Sequence, residues 1–155
     1  MSASKNAARS AARLAAVQAL YQMEVAGATT ADVIADFSAG KLPRETEASY
    51  TETEGDLDLF KVLVESAVER QATLDRTIAR HLSKGWRLDR LDAVARAILR
   101  AGAAELEQRR ETPIAVVIDE YVEIAKSFFD GPEPAFVNAT LDACAKDLRR
   151  DNFGA

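Results

Sequence analysis

The sequence predicts an all-α fold, and three observations carry that expectation. Hydrophobic residues make up 48% of the 155 residues while aromatics are only 6%, a balance weighted toward alanine and leucine, the strongest helix formers among apolar residues. Gly and Pro number only 7 and 4, so the chain has few places where a helix must stop. In most of the chain the apolar positions recur at three-and-four spacing, which lays them along one face of a helix. A chain of this length buries roughly 68–70% of its unfolded surface, enough for one domain spanning residues 1–155 with a core that needs no staple.

The first element is expected over residues 6–26. Ala8, Ala12, Ala15, Ala19 and Met23 make a narrow small-residue face that lets a second helix come close, with Leu14 and Leu20 widening it. Lys5, Arg9 and Arg13 follow one another by four and share one side, with Tyr21 placed further along that flank. Three cations at a helix N-terminus without an acid oppose the helix dipole. The side is therefore either a solvated cationic face or a seat for a polyanion.

Thr29 or Thr30 can cap a short helix through Phe37, ended by Gly40 and Pro43. Residues 44–55 are polar, acidic and almost free of apolar side chains, and a mobile acidic loop is expected at 41–56. It serves as a solvated connector or as a seat for a basic partner. Asp56 then opens a long run whose core stripe is Phe60, Leu63, Val64, Ala67 and Leu74, continuing with at most a bend through Ile78 and Leu82. Gly85-Trp86-Arg87-Leu88 breaks the pattern, and the sole tryptophan is expected as a half-buried anchor between helices rather than a base-stacking surface. Another helix covers residues 91–106, with Val94, Ile98, Ala101 and Leu106 near one face.

The C-terminal third is the most sharply marked. Thr112 can cap a helix that has Pro113 at its first position, and Ile114, Val117, Ile118, Tyr121, Ile124, Ala125 and Phe128 form its apolar stripe. Gly131, Pro132 and Pro134 stop it. A last helix begins near Pro134, with Val137, Leu141, Cys144, Ala145 and Leu148 inward and Asp142, Lys146, Asp147, Arg149 and Arg150 on the wet side. Phe136 either plugs the corner or is presented to a ligand.

The net charge of −5 does not advertise nucleic-acid binding by the molecule as a whole, yet residues 1–23 hold three cations and no acid. Cys144 is the only cysteine, so no internal disulfide can form and a reducing compartment fits. The N-terminus lacks a signal peptide's apolar core and no apolar run reaches about 18 residues. The expectation is a cytoplasmic protein with no membrane association. His81 stands alone, without ligand spacing, and is assigned a surface or helix-end place; no metal and no cofactor are expected. Asp119, Glu120 and Glu123 crowd one helix, but a di-iron bundle needs two Glu-x-x-His pairs. Helix-start charge and a Glu123–Lys126 pair are the readings instead. No phosphate loop, nucleophile elbow or zinc spacing is present, so no enzyme is expected.

The run PIAVVIDEYVEIAKSF, a short corner and FVNATLD together resemble the C-terminal signature of the NusB family of bacterial antitermination factors. Asp119, Tyr121 and Ala139 stand where that pattern usually has Asn, Ala and Gly. Ala16-Val17-Gln18-Ala19-Leu20-Tyr21 matches the family's first helix, though Ser10 and Ala11 occupy places where other members carry arginine. Arg96-Ala97-Ile98-Leu99-Arg100 and Glu105-Leu106 match a central motif in which Ala95 replaces the usual acid and Ala104 the usual tyrosine.

The resemblance implies an all-α arrangement of two small helical bundles with about seven helices. It implies an antitermination factor that binds the boxA element of nascent ribosomal RNA together with the ribosomal protein NusE, within an RNA polymerase complex containing other Nus factors. Its RNA-binding residues would be Arg9, Arg13, Tyr21 and Phe136, with Lys5 joining on spacing. Contact with NusE would involve Arg96, Arg100 and Glu105. If Lys5, Arg9 and Arg13 each neutralise one phosphate of a single strand, the log-log salt slope is about −2. Two other readings stay open: a structural homodimer, and an accessory domain of the kind that precedes certain ribosomal-RNA cytosine methyltransferases.

Overall fold

The computed structural model describes residues 2–40 and 56–150. Its described part is all-helical: α1 (Ser2–Ala26), α2 (Thr30–Ser38), α3 (Leu57–Glu69), α4 (Gln71–His81), a 3₁₀ turn (Leu88–Arg90), α5 (Ala93–Gln108), α6 (Ile114–Phe128) and α7 (Glu133–Leu148), with no strand. Of the acidic loop expected at 41–56, only Asp56 lies among the described residues.

Caps fix where several of these helices begin. Thr29 accepts from the Asp32 N–H at 3.1 Å while Asp32 answers the Thr29 N–H, closing a capping box on α2. Asp56 caps α3 through the Leu59 N–H, and Asp92 caps α5 through that of Val94. Two expectations at helix starts and joints are corrected. Pro113, not Thr112, holds the cap position of α6, where no side chain bonds the first turn. The run after Asp56 is two helices rather than one, because Arg70 departs from helical geometry (φ −107°, ψ 18°) and α4 starts afresh from its carbonyl.

Two hydrophobic clusters form, and α1 is shared between them. Its small face, Ala12, Ala15, Ala16 and Ala19, packs on Val33 and Phe37 of α2 and on Leu59, Phe60, Leu63 and Val64 of α3, where the Phe37 and Phe60 rings stack at 4.2 Å. Its other side sends Val17 and Leu20 into the larger cluster built from α4 to α7. These are the two bundles that the family resemblance implies.

The axis of the larger bundle is α5. From Ala97 to Leu106 every residue except Arg100 is buried. Small residues make this possible. A Cβ added at Gly102 would meet Leu141 Cδ1 of α7 at 2.8 Å, so the Leu141 side chain packs directly on the α5 backbone at the place where glycine leaves room for it. Full burial of Ile98, Leu99 and Leu106 contributes about 1.5–3 kcal/mol each.

The last helix is held by a charge that the helical pattern assigns to solvent. Arg149 is 0% exposed, and its guanidinium donates to the carbonyls of Leu106, Arg109 and Thr112 at 2.6–2.7 Å. The end of α5 and the turn into α6 leave these acceptors without helical partners. One planar five-donor head satisfies three of them at once.

Candidate nucleic-acid interface

The cationic side of α1 divides within one turn. Lys5 is exposed and Arg9 half-buried, with Arg9 Nη2 donating to Asn6 Oδ1 at 2.8 Å. Among the described residues neither is held by a carboxylate. Arg13 lies one turn further along, where α5 and α6 cross over α1, and is only 3% exposed. Its Nε and Nη2 donate to Glu105 at 2.9 and 2.7 Å, and its Nη1 donates to Glu120 at 2.8 Å.

Two neighbours complete the knot. The Tyr121 hydroxyl donates to Glu105 Oε1 at 2.8 Å, and the Ser10 hydroxyl donates to Glu120 Oε1 at 2.6 Å. Burial pushes the Arg13 guanidinium down, but the bonds and charge of Glu105, aided by Tyr121 and Glu120, hold it above its ordinary value. Burial, followed by the charge of Glu105, raises the Tyr121 hydroxyl well above 10.0, so it stays a donor.

Arg13 is therefore a structural cation, and its expected place among phosphate contacts is corrected. Glu105 is corrected with it: at 0% exposure inside α5 it offers nothing to a partner protein. Ala95 and Ala104, the substitutions in the central motif, are also interior, at 2% and 0%. They change what packs beneath the surface rather than the surface itself.

Tyr21 is 37% exposed. Twelve residues separate it from Arg9, a rotation of about 120° and a rise of about 18 Å, so it does not share the flank of the cations. Phe136 is 7% exposed, and its ring stacks against Trp86 at 4.3 Å with 24° between the planes. The corner is thus plugged, and the expected display of Phe136 to RNA is corrected. The outward member of the aromatic pair is Trp86, 36% exposed and stacked on Phe136, which fits the half-buried anchor that the sequence suggested.

Arg96 and Arg100 face the C-terminal end of α1. Arg96 Nε donates to Glu24 at 2.7 Å and its Nη1 to the carbonyls of Leu88 and Leu91, while Arg100 reaches Glu24 at 3.1 Å and Asp75 at 2.9 Å. The Arg96 bond holds the Glu24 carboxyl below its ordinary 4.5 against a smaller burial effect, with charge from Arg96 and Arg100 adding. These residues and Trp86 border a cavity of about 630 Å³.

On α7, Asp147 binds His81 Nε2 and Arg80 Nη1, each at 2.6 Å, which places His81 at the end of α4 as expected. Cys144 is 0% exposed, and burial pushes its thiol up to about 12. Among the described residues no three His, Cys, Asp or Glu gather as a metal site, and no helix is long and apolar enough to cross a membrane.

Comparison with known proteins covers nearly the whole chain. The family model described as NusB family matches residues 10–146. The Caulobacter vibrioides transcription antitermination protein NusB is 52% identical over 149 residues, 96% of this chain and 99% of that one. The protein of the same name from Maricaulis maris is 50% identical over 145 residues, 94% and 90% of the two chains. Among solved structures, T. maritima NusB superposes with a TM-score of 0.71 at 29% identity, covering 95% of this chain and 97% of that one. A chain from a structure described as the crystal structure of a plectonemic RNA supercoil gives 0.68 at 30% identity, with coverages of 89% and 94%.

Proposed function

The chain belongs to the NusB family of transcription antitermination proteins, and from that premise we propose that it binds the boxA element of nascent ribosomal RNA together with the ribosomal protein NusE. In this role it supports processive transcription of ribosomal-RNA operons within the complex of RNA polymerase and other Nus factors. The chain acts as one helical domain. The observation that carries the RNA reading is the pair of α1 cations, Lys5 and Arg9, that no described carboxylate neutralises on a chain of net charge −5.

Tyr21 adds an exposed ring on the same helix for a base to stack on. With Arg13 withdrawn, two cations remain, and the log-log salt slope they supply to a single strand is about −1.4. A grip that slight calls for a second protein. Arg96 and Arg100, on the outer side of α5, are the residues we assign to NusE contact. Both are ordered by Glu24, so the surface is set before the partner arrives.

A fluorescence-anisotropy titration of labelled boxA RNA, with and without the organism's own NusE and at two salt concentrations, tests this. Binding that is weak alone and strengthened by NusE supports it, and Arg9→Glu should then weaken the complex. If RNA fails to bind under every condition, or if the protein sediments as a tight dimer indifferent to RNA and NusE, the reading is wrong.

A further inference from the structure

We propose that the loop at residues 83–90 is a nucleobase-binding site, in which Trp86 stacks a base of single-stranded RNA while Lys84, Arg87 and Arg90 hold the adjoining phosphates. This rests on the RNA-binding reading above and adds a second point of attachment, at the opposite end of α1 from Lys5. The loop's neighbour Glu24 lies fifteen residues beyond Arg9 on that helix, about 22 Å along its axis.

Charge sets the loop apart first. Within a chain of net charge −5, residues 83–90 carry three cations and one acid, and all three cations are exposed. Arg87 is the clearest case. It meets Asp89 at 3.3 Å through two nitrogens, with the two side chains 65% and 69% exposed. Ion pairs so open to water contribute little to stability, so a phosphate can readily replace Asp89. Arg96 and Arg100, at 14% exposure and bound to Glu24 and Asp75, cannot be released in that way.

The aromatic group is positioned as well as exposed. Phe136 backs the Trp86 ring at 4.3 Å, so its orientation is fixed before any ligand arrives. The backbone around it is also tied: Gly85 turns with φ +96°, the Trp86 N–H bonds the Ser83 carbonyl at 3.0 Å, and Arg90 bonds Arg87 at 3.0 Å. A base stacking on Trp86 pays little ordering entropy on the protein side.

A cavity of about 630 Å³ lies beside the ring and gives a base room. Ala79, Leu82 and Leu88 offer an apolar wall, and the mutual pairing of Arg96 and Arg100 with Glu24 and Asp75 closes the other side.

Because Trp86 is the only tryptophan, the unmodified protein reports on the site. A boxA-type single-stranded RNA is titrated while tryptophan emission and the anisotropy of a label on the RNA are followed together. The expected result is quenching that saturates at the same RNA concentration as the anisotropy. Trp86→Ala should weaken binding about 5- to 150-fold, the loss of one stacked base, and Trp86→Phe should recover part of it. Replacing Lys84, Arg87 and Arg90 by Gln should lower the magnitude of the salt slope by about 2.

RNA that binds by anisotropy with unchanged emission, and with equal affinity for Trp86→Ala, overturns this site and leaves the RNA-binding function standing. Absence of RNA binding altogether removes that function and this site with it. Emission that responds to NusE but not to RNA identifies the loop as a protein interface and equally refutes the proposal.

Discussion

Replacing Arg13 by Met separates structural from RNA-binding cations on α1. The substitution keeps an unbranched side chain of similar length but removes the three donors facing Glu105 and Glu120. Glu105, 0% exposed, is left with the Tyr121 hydroxyl as its one described donor. Removing one partner of a buried pair costs about 3–5 kcal/mol, because the other charge stays in the interior. For a chain of this size each kcal/mol lowers Tm by about 2–4 °C, so thermal unfolding should shift down by about 6–20 °C.

Arg9→Ala is the matched control, expected within about 0.5 kcal/mol of wild type in stability but weaker on RNA, with the slope reduced by about 0.7. Combining Arg13→Met with Glu105→Leu and Tyr121→Phe should regain most of the lost stability, since no buried charge or orphaned hydroxyl then remains in the knot. The reasoning fails if Arg13→Met melts with wild-type Tm and its RNA salt slope falls as that of Arg9→Ala does. That pairing of results would mean the guanidinium spends its time outside the helix crossing.

Three further outcomes can be checked. Gly102→Ala should destabilise by about 1 kcal/mol, as overpacking against Leu141 Cδ1 at 2.8 Å exceeds the gain in helix propensity, and Leu141→Val in the same chain should relieve part of it in urea unfolding. Glu24 has a folded pKa below its ordinary 4.5, so its contribution to stability is present above that value and is lost as pH falls through the lower folded value. Glu24→Gln should therefore melt below wild type at neutral pH, with the two curves converging in acid. Cys144, buried and with its thiol at about 12, should react with a thiol reagent at pH 8 only as fast as the bundle opens; fast labelling without denaturant would contradict its placement.

Helix starts that depend on a single side chain were legible in the sequence. Thr29 and Asp56 cap where local chemistry says they should, and the Gly/Pro corner separates α6 from α7. The joint at Arg70 was not, because no Gly or Pro marks it and the apolar period runs on across it. The inward charges escaped for a different reason. Helical periodicity sends Arg13 and Arg149 to solvent, and what draws them inside lies on other elements: Glu105 on α5 and the carbonyls around the α5–α6 turn. One signal was available, an acid set in the run Ala103-Ala104-Glu105-Leu106, which requires a buried cation somewhere in the chain. Trp86 was legible as a half-buried anchor: it is 36% exposed and its ring stacks on Phe136.

The distance in sequence between Arg13 and Glu105 has a consequence during synthesis. Ninety-two residues separate them, which at about 5–20 residues per second is roughly 5–18 s of elongation. Throughout that interval the growing chain carries a cation whose acid has not been made, on a helix whose larger bundle does not yet exist. The knot closes only when α6, which carries Glu120 and Tyr121, has also left the ribosome, and Arg149 seals the α5–α6 turn last. The larger bundle is thus completed from its C-terminal end, late in the life of the nascent chain.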